Sequence, residues 1–303
     1  MTERALILAN PTAGGGKAVA RAAAVARTLT ANDIPVTLAT PQDAETLTSM
    51  AADAAAGGAA AILASGGDGT VHRAIQGIVG SSVPFGIIPS GSGNDAARTL
   101  GVDRLPIGRL GQAFAEAIAT NRTSSIDVGK ATLDSGPVRY YLAVLSSGFD
   151  STVNERANRM TWPPGQAKYI TAMLAELAPF RAVPYRVTID GAVQDGRGML
   201  VSVGNGTSFG GGMRVCPRAS VEDGLLDLTW LHEVGKGEFL RVFPRVYQGT
   251  HVTHPKVETR QGRTLRIEAP GQIAYADGER LGPLPVTVES VPSGLQTLQV
   301  GTP

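Results

Sequence analysis

Cysteine is almost absent from the chain, since Cys216 is the only one among 303 residues. A single thiol cannot form an intrachain disulfide, so a small secreted domain held together by cross-links is excluded. The length instead allows about two domains, each with a buried core of its own. The cysteine content is typical of a protein that works in a reducing compartment.

The chain also lacks an excess of charge of one sign and any long apolar run. Its formal net charge is +1, which argues against a nucleic-acid partner, because such proteins concentrate basic residues on one surface. The first apolar run covers only residues 5–9, and no later run approaches ~18 apolar residues. A signal peptide or spanning helix is therefore not expected. We expect a soluble cytoplasmic protein that meets a membrane only at its surface.

What the first part of the chain does contain is an alternation of short apolar runs with alanine-rich segments of helical character. The predicted strands cover 5–9, 35–39, 61–65 and 85–89. The predicted helices cover 17–31, 43–56, 70–79 and 94–119, the last broken near Pro106. Strands that alternate with helices of this length predict an α/β fold with a doubly wound parallel sheet. We assign residues 1–122 to this domain.

From about residue 123 the pattern changes to closely spaced strands. They are predicted at 140–146, 184–190, 199–203, 225–231, 264–268, 272–276 and 286–291. Asp-Gly pairs at 190–191, 195–196, 223–224 and 277–278 separate many of them, as is typical of antiparallel hairpins. One helix is predicted at 166–178, where apolar residues recur at helical spacing. We therefore predict a mostly antiparallel β domain over residues 123–290.

Three of the four predicted strand ends in the first domain are rich in glycine: "NPTAGGGK", "SGGDGT" and "PSGSGND". In doubly wound sheets, ligands bind outside the carboxyl ends of the strands. Gly66 and Gly67 would let a phosphate reach backbone N–H groups, and Thr70 would begin a helix whose N-terminus favours anions. Asp68 would hold Mg²⁺ or a water bound to it. The alternative is a tight turn followed by an Asp or Thr helix cap, which does not call for two leading glycines.

The other two loops match known phosphate-binding motifs only loosely. The spacing G-x-G-x-x-A at 91–96 fits the dinucleotide fingerprint, but it follows the fourth strand and contains the polar pair Asn94 and Asp95. A plain Asn or Asp helix cap is the alternative. "AGGGKA" lacks the first glycine and the final hydroxyl residue of a P-loop, so it is interpreted as a flexible loop that faces phosphate.

Two acidic turns in the second domain have both a structural and a functional interpretation. Asp277 and Glu279 in "YADGERLG" would form a hairpin turn or supply a general base. Ser220 and Asp223 would ligate a hard cation through oxygen, although the pair Asp223-Gly224 alone favours a simple turn. The four histidines show no spacing typical of a metal site.

The segment 156–186 mixes basic residues with aromatic ones. These residues are Arg156, Arg159, Lys168, Arg181, Trp162, Tyr169 and Phe180. Basic residues beside aromatic anchors suit an interfacial contact with anionic lipid. An ordinary amphipathic helix packed on its own domain fits the same pattern equally well.

Six motifs, taken in order, resemble the diacylglycerol kinase catalytic family. They are "NPTAG" at 10–14, "GGDGT" at 66–70, "PSGSGNDAAR" at 89–98, "GFDSTVN" at 148–154, "NGTSFGGGMRVCPRASVEDGLLDL" at 205–228 and "DGE" at 277–279. The resemblance covers essentially the whole chain and is closest to soluble actinobacterial members. It implies an α/β domain of the NAD kinase and diacylglycerol kinase kind, followed by a β-rich domain that binds lipid. It also implies that residues 291–303 form a terminal strand that returns to the first domain.

The resemblance further implies an ATP site along the glycine-rich loops. Its residues would be Asn10, Pro11, Thr12, Ala13, Gly14, Thr40, Gly66, Gly67, Asp68, Gly69, Thr70, Val71, His72, Gly91, Ser92, Gly93, Asn94 and Asp95. Asp68 would act in catalysis near the phosphates and their Mg²⁺. Glu279 matches the proposed proton acceptor, and Asp277 is close enough in sequence to share that role. Ser220, Asp223 and the carbonyl of Leu225 resemble a structural Mg²⁺ site.

Two positions depart from the usual residues of the family. Ser92 stands where Thr is usual, and His72 stands where Asn is common. Both replacements keep the capacity to form hydrogen bonds, so the implied activity is retained.

The implied function is the ATP- and Mg²⁺-dependent phosphorylation of the primary hydroxyl of diacylglycerol to phosphatidic acid, in phospholipid metabolism. The protein would bind peripherally to the inner face of the plasma membrane, as a monomer or a homodimer. Sphingosine, ceramide, monoacylglycerol and phosphatidylglycerol are alternative acceptors. More remote alternatives are an NAD kinase, which shares "GGDGT", and a non-catalytic nucleotide or lipid sensor. A sensor has no need of the intact acids Asp68, Asp277 and Glu279.

Overall fold

The chain divides into two units in the computed structural model, which describes residues 4–163 and 166–300. The first unit comprises Met1–Val128 and Pro292–Pro303, and the second comprises Gly129–Val291. Pro164, Gly165 and the side chain of Tyr169, which belong to the basic and aromatic segment, lie outside the described residues. Among the described residues, no helix is long and apolar enough to cross a membrane.

The first unit alternates strands and helices as its sequence pattern predicts. Its elements are β1 (Ala5–Ala9), a 3₁₀ turn (Ala13–Gly16), α1 (Lys17–Ala31), β2 (Val36–Ala39), α2 (Ala44–Ala56), β3 (Ala61–Gly66), α3 (Asp68–Ile78), β4 (Phe85–Pro89), α4 (Asp95–Thr99), α5 (Ile107–Ala119) and the start of β5 (Thr123–Leu133). The strands β2, β1, β3 and β4 pair in this order, and all three pairings are parallel. The predicted doubly wound α/β domain is confirmed.

Burial explains why these segments form a parallel sheet. Every residue of β1, β3 and β4 is buried, as expected of parallel strands covered on both faces. Helix α1 buries Ala18, Ala22, Val25 and Leu29, which recur at helical spacing. Since the strands run in one direction, their carboxyl ends share one edge of the sheet. The three glycine-rich loops and Thr40 all follow strands at that edge.

The second unit is built mainly from antiparallel strands. Its further elements are β6 (Val138–Tyr141), β7 (Val144–Gly148), α6 (Phe149–Arg159), α7 (Gln166–Leu177), β8 (Val183–Ile189), β9 (Ala192–Gly204), β10 (Leu226–His232), α8 (Lys236–Val242), two 3₁₀ turns (Phe243–Gln248 and Thr250–Thr253), β11 (Val257–Gly262), β12 (Thr264–Glu268), β13 (Ile273–Ala276), β14 (Glu279–Pro283) and β15 (Val286–Leu298). The long strand β9 pairs antiparallel with β7, β8 and β10. This confirms the predicted antiparallel β character.

Two large hydrophobic cores help to hold the second unit together. Alternate residues of the central strands, including Leu145, Val201, Val203 and Trp230, are buried in the first core. The second core packs α6, α7 and α8 together with strand residues, and Phe149 is at its centre. The ring of Phe149 meets that of Phe239 edge-on, with centroids 5.0 Å apart. The helices therefore cover the strand face that is turned away from the first core.

Two local predictions are wrong, and hydrogen bonds explain both. The strand predicted at 140–146 is divided into β6 and β7, because the N–H groups of Leu142 and Ala143 donate to the carboxylate of Asp277. The pair Asp195-Gly196 does not form a turn but lies inside β9. There, Asp195 pairs with Arg186 of the neighbouring strand β8 at 2.8 Å, which favours a continued strand over a turn.

Candidate functional site

The predicted nucleotide residues of the first unit lie on loops that leave neighbouring strands. Ala9 of β1 is in register with Ser65 of β3, so "NPTAGGGK" and "GDGT" leave the sheet side by side. In the order β2-β1-β3-β4, β2 lies on one side of β1, whereas β3 and β4 lie on the other. The strand order therefore reverses between β1 and β3, and the ends of these two strands form a topological switch point. Ligands of doubly wound sheets bind at such points.

Hydrogen bonds tie the first two loops together. The Nδ2 of Asn10 donates to Oγ1 of Thr70 at 3.2 Å. The Oδ1 of Asn10 accepts from both N and Oγ1 of Thr12, at 3.0 and 2.9 Å. The N–H of Ser90, at the end of β4, donates to the carbonyl of Gly66 at 2.8 Å. The loops after β1, β3 and β4 thus form one connected edge.

Close backbone approach is a reason for glycine in these loops besides clearance for phosphate. A Cβ on Gly91 would lie 2.5 Å from Cα of Gly67. A Cβ on Gly66 would lie 2.1 Å from Oγ1 of Thr70. A side chain at Gly91 would force two loops apart, and one at Gly66 would displace Thr70, so the glycines hold the edge in its observed shape.

Replacement of Gly91 by Ala is expected to destabilise the protein by about 1–3 kcal/mol, because the added methyl meets backbone and not a movable side chain. ATP binding is expected to weaken with it. The matched control is Gly108→Ala in α5, where a Cβ meets nothing within 4 Å, and stability should rise by about 0.5–1 kcal/mol. Thermal unfolding and ATP titration measure both effects. Equal stability of the two variants would contradict the packing account.

Asp68 does not cap its own helix. The N-cap of α3 is Gly67, with no side-chain cap bond, and Oδ1 of Asp68 instead accepts from the N–H of Ala96 at 2.9 Å. The carboxylate therefore reaches from the loop after β3 to the start of α4. The simple cap alternative fails for Asn94 as well, since its side chain bonds both N and O of Gly91, at 2.8 and 2.9 Å, and closes its own loop.

The remaining predicted nucleotide residues differ in exposure. Asp95 is buried, and its Oδ1 pairs with Nη1 of Arg98 at 2.5 Å. Val71 and His72 are buried in α3. Pro11, Thr12, Gly14, Thr40 and Ser92 are exposed, and Ala13, Gly69 and Gly93 are half-buried. Exposed and buried members of this set lie on the same edge of the first unit. This arrangement suits a binding site that is open to solvent and has a buried, rigid floor.

In the second unit, Asp277 and Glu279 differ in their surroundings. Asp277 has φ of +51° and Gly278 has φ of +83°, and the pair forms the turn between β13 and β14. The buried carboxylate of Asp277 accepts from the N–H groups of Leu142 and Ala143, at 2.9 and 2.8 Å. Glu279 begins β14 and is half-buried. Asp277 therefore lies in a hairpin turn, and its carboxylate stabilises that turn.

The turn at 220–225 contains the predicted structural cation ligands. The N–H of Leu225 donates to Oδ1 of Asp223 at 3.0 Å, and Nε2 of Gln261 lies 3.5 Å from its Oδ2. Burial, together with the Asp223 charge, raises the pKa of nearby Asp227. Over the described residues, no group of three or more His, Cys, Asp or Glu side chains is placed as a metal site. The available hydroxyl, carboxylate and carbonyl oxygens still fit Mg²⁺, which keeps several waters.

An apolar cavity of about 140 Å³ lies within the second unit. It is lined by residues of α6, α7, α8, the 3₁₀ turns and the strands. Its lining includes Phe149, Val153, Ile170, Met173, Phe209, Met213, Leu231, Phe239, Val242, Phe243, Val246 and Tyr247. Sequence analysis did not predict it, because its walls come from segments up to about 100 residues apart that only the fold brings together. The phenylalanines at 239 and 243 were the available signal.

Asp150 is an acidic residue in this apolar lining. Both carboxylate oxygens are buried, and among the described residues neither has a hydrogen-bond partner of normal geometry. Burial raises the pKa of Asp150 from 3.8 to about 6, an effect that the nearby Ser146 and the N–H of Ser151 partly offset. His251 also lines the cavity, and burial lowers its pKa. An orphaned carboxyl is costly in such surroundings.

Comparisons with known proteins agree with this architecture. The diacylglycerol kinase catalytic domain profile matches residues 4–131, and the YegS C-terminal NAD kinase beta sandwich-like domain profile matches residues 143–299. A diacylglycerol kinase of Mycobacterium tuberculosis is 39% identical over 293 residues, covering 96% of this chain and 94% of the relative. A diacylglycerol kinase of Bacillus subtilis is 26% identical over 228 residues, covering 74% and 72%.

Solved structures show the same fold. A crystal structure of a diacylglycerol kinase from Bacillus anthracis superposes with a TM-score of 0.70 at 21% identity, covering 98% of this chain and 96% of that one. An NAD kinase from Archaeoglobus fulgidus in complex with ATP gives a TM-score of 0.55 at 15% identity, covering 98% and 94%.

An α/β unit with glycine-rich strand ends, joined to an antiparallel β unit, defines the class of NAD kinase-like and diacylglycerol kinase-like folds. Within this class, the chain belongs to the diacylglycerol kinase catalytic family, and it is a kinase. The resemblance and the fold class predicted from the sequence are both confirmed.

Proposed function

We propose that the protein transfers the γ-phosphoryl group of ATP to the primary hydroxyl of diacylglycerol and releases phosphatidic acid and ADP. The observation that carries the proposal is the apolar cavity of about 140 Å³ in the second unit. A cavity lined by aliphatic and aromatic side chains suits acyl chains and offers little to a nicotinamide dinucleotide. Family membership supports a lipid alcohol over the NAD kinase alternative.

Glu279 is the proton acceptor in this proposal. The hydroxyl oxygen of the lipid attacks the γ-phosphorus, the bond to the β–γ bridging oxygen breaks, and the hydroxyl proton passes to the carboxylate. Asp277 suits this role less, because each of its oxygens already accepts a backbone N–H. Proton loss accompanies bond formation in such transfers, so a positioned carboxylate suffices as base.

The glycine-rich edge of the first unit is the proposed ATP site. Backbone N–H groups at the start of α3 would face the phosphates, since the first turn of a helix leaves such donors available. Asp68 would lie beside the nucleotide's Mg²⁺, which neutralises charge on the phosphates when bound. A second Mg²⁺ would be held by Ser220, Asp223 and the Leu225 carbonyl as a structural ion.

Filling the apolar cavity tests its assignment to lipid. Val242→Trp adds bulk to the lining, and we expect the KM for diacylglycerol to rise at least about tenfold while the KM for ATP is unchanged. The control is Val193→Trp on β9, because Val193 is 61% exposed and is not part of the lining. Steady-state assays with both substrates measure the effect. An unchanged lipid KM in Val242→Trp would contradict the proposal.

The proposed membrane contact involves three exposed apolar side chains. Trp162 is 78% exposed, and Ile170 and Leu174 on α7 are 49% and 52% exposed. Ile170 also belongs to the cavity lining, so the same helix has both an exposed apolar surface and a wall of the cavity. Such a surface suits insertion at the interface of an anionic membrane, and it supports a cytoplasmic protein bound peripherally to the inner membrane face.

Combined replacement of Trp162, Ile170 and Leu174 by Ala is expected to reduce binding to anionic vesicles at least about tenfold, because apolar area at the interface drives such binding. Activity on detergent-dispersed diacylglycerol should change little. The control is Leu38→Ala on β2, an exposed apolar position of the first unit. Vesicle co-sedimentation measures binding. If the triple variant sediments like the wild type, the membrane contact lies elsewhere.

A further inference from the structure

Glu155 of α6 joins two parts of the second unit. Its Oε1 accepts from the hydroxyl of Tyr275 at 2.7 Å and from Nε of Arg280 at 2.9 Å. Tyr275 lies on β13 and Arg280 lies on β14, where they form a cross-strand pair. One carboxylate on the helix therefore holds both strands of the β13–β14 hairpin (Ile273–Pro283).

The same helix forms a wall of the apolar cavity. Phe149, Asp150, Val153 and Asn154 of α6 belong to the lining, and Glu155 follows them directly. Helix α6 is packed against α7 and α8 through Phe149 and Met173 in the second core. Because a helix moves as a stiff element, a ligand that fixes the lining residues also fixes the position of Glu155.

The hairpin that Glu155 holds carries the proposed base. Glu279 is adjacent to Arg280, and the turn before it is anchored by Asp277. The register of β13 and β14 shifts between Ala274 and Tyr275, next to the residue that Glu155 binds. Such bulges change the direction of nearby side chains and are common beside active sites. The hairpin is held by the pairing of β13 with β7, by Asp277 and by Glu155, and Glu155 is the side chain that joins it to α6.

The contact joins a partly buried carboxylate to a buried hydroxyl and to a guanidinium whose side chain is 52% exposed. Tyr275 is buried, and the side chain of Glu155 is 26% exposed. The hydroxyl of Tyr275 and the guanidinium of Arg280 lower the pKa of Glu155, so the carboxylate stays ionised at neutral pH and keeps both hydrogen bonds. Charge-assisted hydrogen bonds of this kind are about twice as strong as neutral ones.

We propose that Glu155 is a positioning residue that couples occupation of the apolar cavity to the orientation of the base Glu279. An acyl chain in the cavity fixes α6, and Glu155 passes that constraint through Tyr275 and Arg280 to the hairpin. The inference rests on the proposed function, since it requires that acyl chains occupy the cavity. In this proposal, part of the binding energy of the acyl chains is used to align Glu279. Binding of remote parts of a substrate can raise kcat in this way.

Acyl chain length provides the test. Dioctanoylglycerol and dioleoylglycerol carry the same hydroxyl but fill the cavity to different extents. In the wild type, kcat should be about tenfold higher for dioleoylglycerol, because the longer chains fix α6 more completely. In Glu155→Gln, that ratio should fall close to one, while the KM for ATP stays unchanged. Tyr275→Phe, which removes only the hydroxyl, should give a reduced ratio in between.

Glu176→Gln is the matched control. Glu176 of α7 forms an ion pair with Arg156, which lies on the same helix as Glu155. Neither partner of this ion pair belongs to the β13–β14 hairpin. This variant should keep the wild-type ratio of kcat values. An unchanged ratio in Glu155→Gln, or an equal loss in Glu176→Gln, would overturn the coupling.

A second measurement separates this inference from the proposed function. Amide hydrogen exchange of the hairpin is followed with dioleoylglycerol and no nucleotide. Protection at 273–283 should increase in the wild type and in Glu176→Gln, but not in Glu155→Gln. A wild type that shows this protection yet phosphorylates no diacylglycerol would contradict the function and leave the coupling standing. Equal protection in Glu155→Gln would contradict the coupling alone.

Discussion

Asp68→Asn is expected to lower the rate of diacylglycerol phosphorylation by at least about a hundredfold, the scale at which loss of one preorganised electrostatic group acts. Asparagine keeps an oxygen that can accept the N–H of Ala96, as Oδ1 of Asp68 does at 2.9 Å. The loops after β3 and β4 should therefore stay connected, and only the negative charge at the proposed nucleotide site is lost. Turnover at saturating ATP and lipid measures the effect.

The control for this variant is Asp53→Asn, which removes an exposed carboxylate from α2. It should retain wild-type turnover, and thermal unfolding of both variants should stay close to that of the wild type. If the turnover of Asp68→Asn is within about threefold of the wild type, the loss is far smaller than expected for a preorganised electrostatic group. Asp68 would then be a residue that only connects the loops.

Asp150→Asn is expected to stabilise the protein at pH 8 by up to about 3 kcal/mol. The folded-state pKa of Asp150 is raised to about 6 from its ordinary value of 3.8, so the folded protein holds a proton that the unfolded chain has already released. Ionisation of Asp150 therefore costs stability as the pH rises from about 4 to about 6, and the cost persists above that range. Asparagine carries no charge, so the variant avoids the cost of ionisation.

Urea unfolding of wild type and Asp150→Asn at several pH values measures this difference. The two proteins should be about equally stable below pH 4 and diverge up to pH 6. Asp195→Asn is a useful contrast, because Arg186 lowers the pKa of the exposed Asp195 and its replacement should not stabilise. A destabilised Asp150→Asn at pH 8 would show that the carboxylate has a favourable partner. Asp150 lines the cavity and lowers the stability of the folded protein. Residues that lower stability are often kept for function, so this position fits a role in binding.

The fold of the first unit followed from its sequence because local patterns and tertiary packing agree there. Strands β1, β3 and β4 are apolar runs buried on both faces, and α1 was predicted with its observed ends, Lys17–Ala31. In the second unit, α6 was missed, since "FDSTVNERANR" is mostly polar and only tertiary contacts bury Phe149 and Val153. The division of 140–146 depended on Asp277, a residue about 135 positions away.

The candidate site was predictable only where its chemistry lies within one loop. Glycine-rich strand ends indicated a phosphate edge, and the structure brings these loops together through Asn10, Thr70 and Asp68. The sequence left Asp277 open between base and turn, and two backbone N–H bonds favour the turn. The cavity and its carboxyl Asp150 could not be predicted, because burial and missing partners are properties of the folded chain.

The most direct test of the account is a phosphorylation assay with labelled ATP, Mg²⁺ and a panel of acceptors. The panel contains diacylglycerol, monoacylglycerol, ceramide, sphingosine, phosphatidylglycerol and NAD, each presented separately to the purified protein. The account predicts that labelled phosphatidic acid forms from diacylglycerol faster than any other product forms. Phosphorylation of NAD without any labelled lipid, or no transfer to any acceptor, would contradict it.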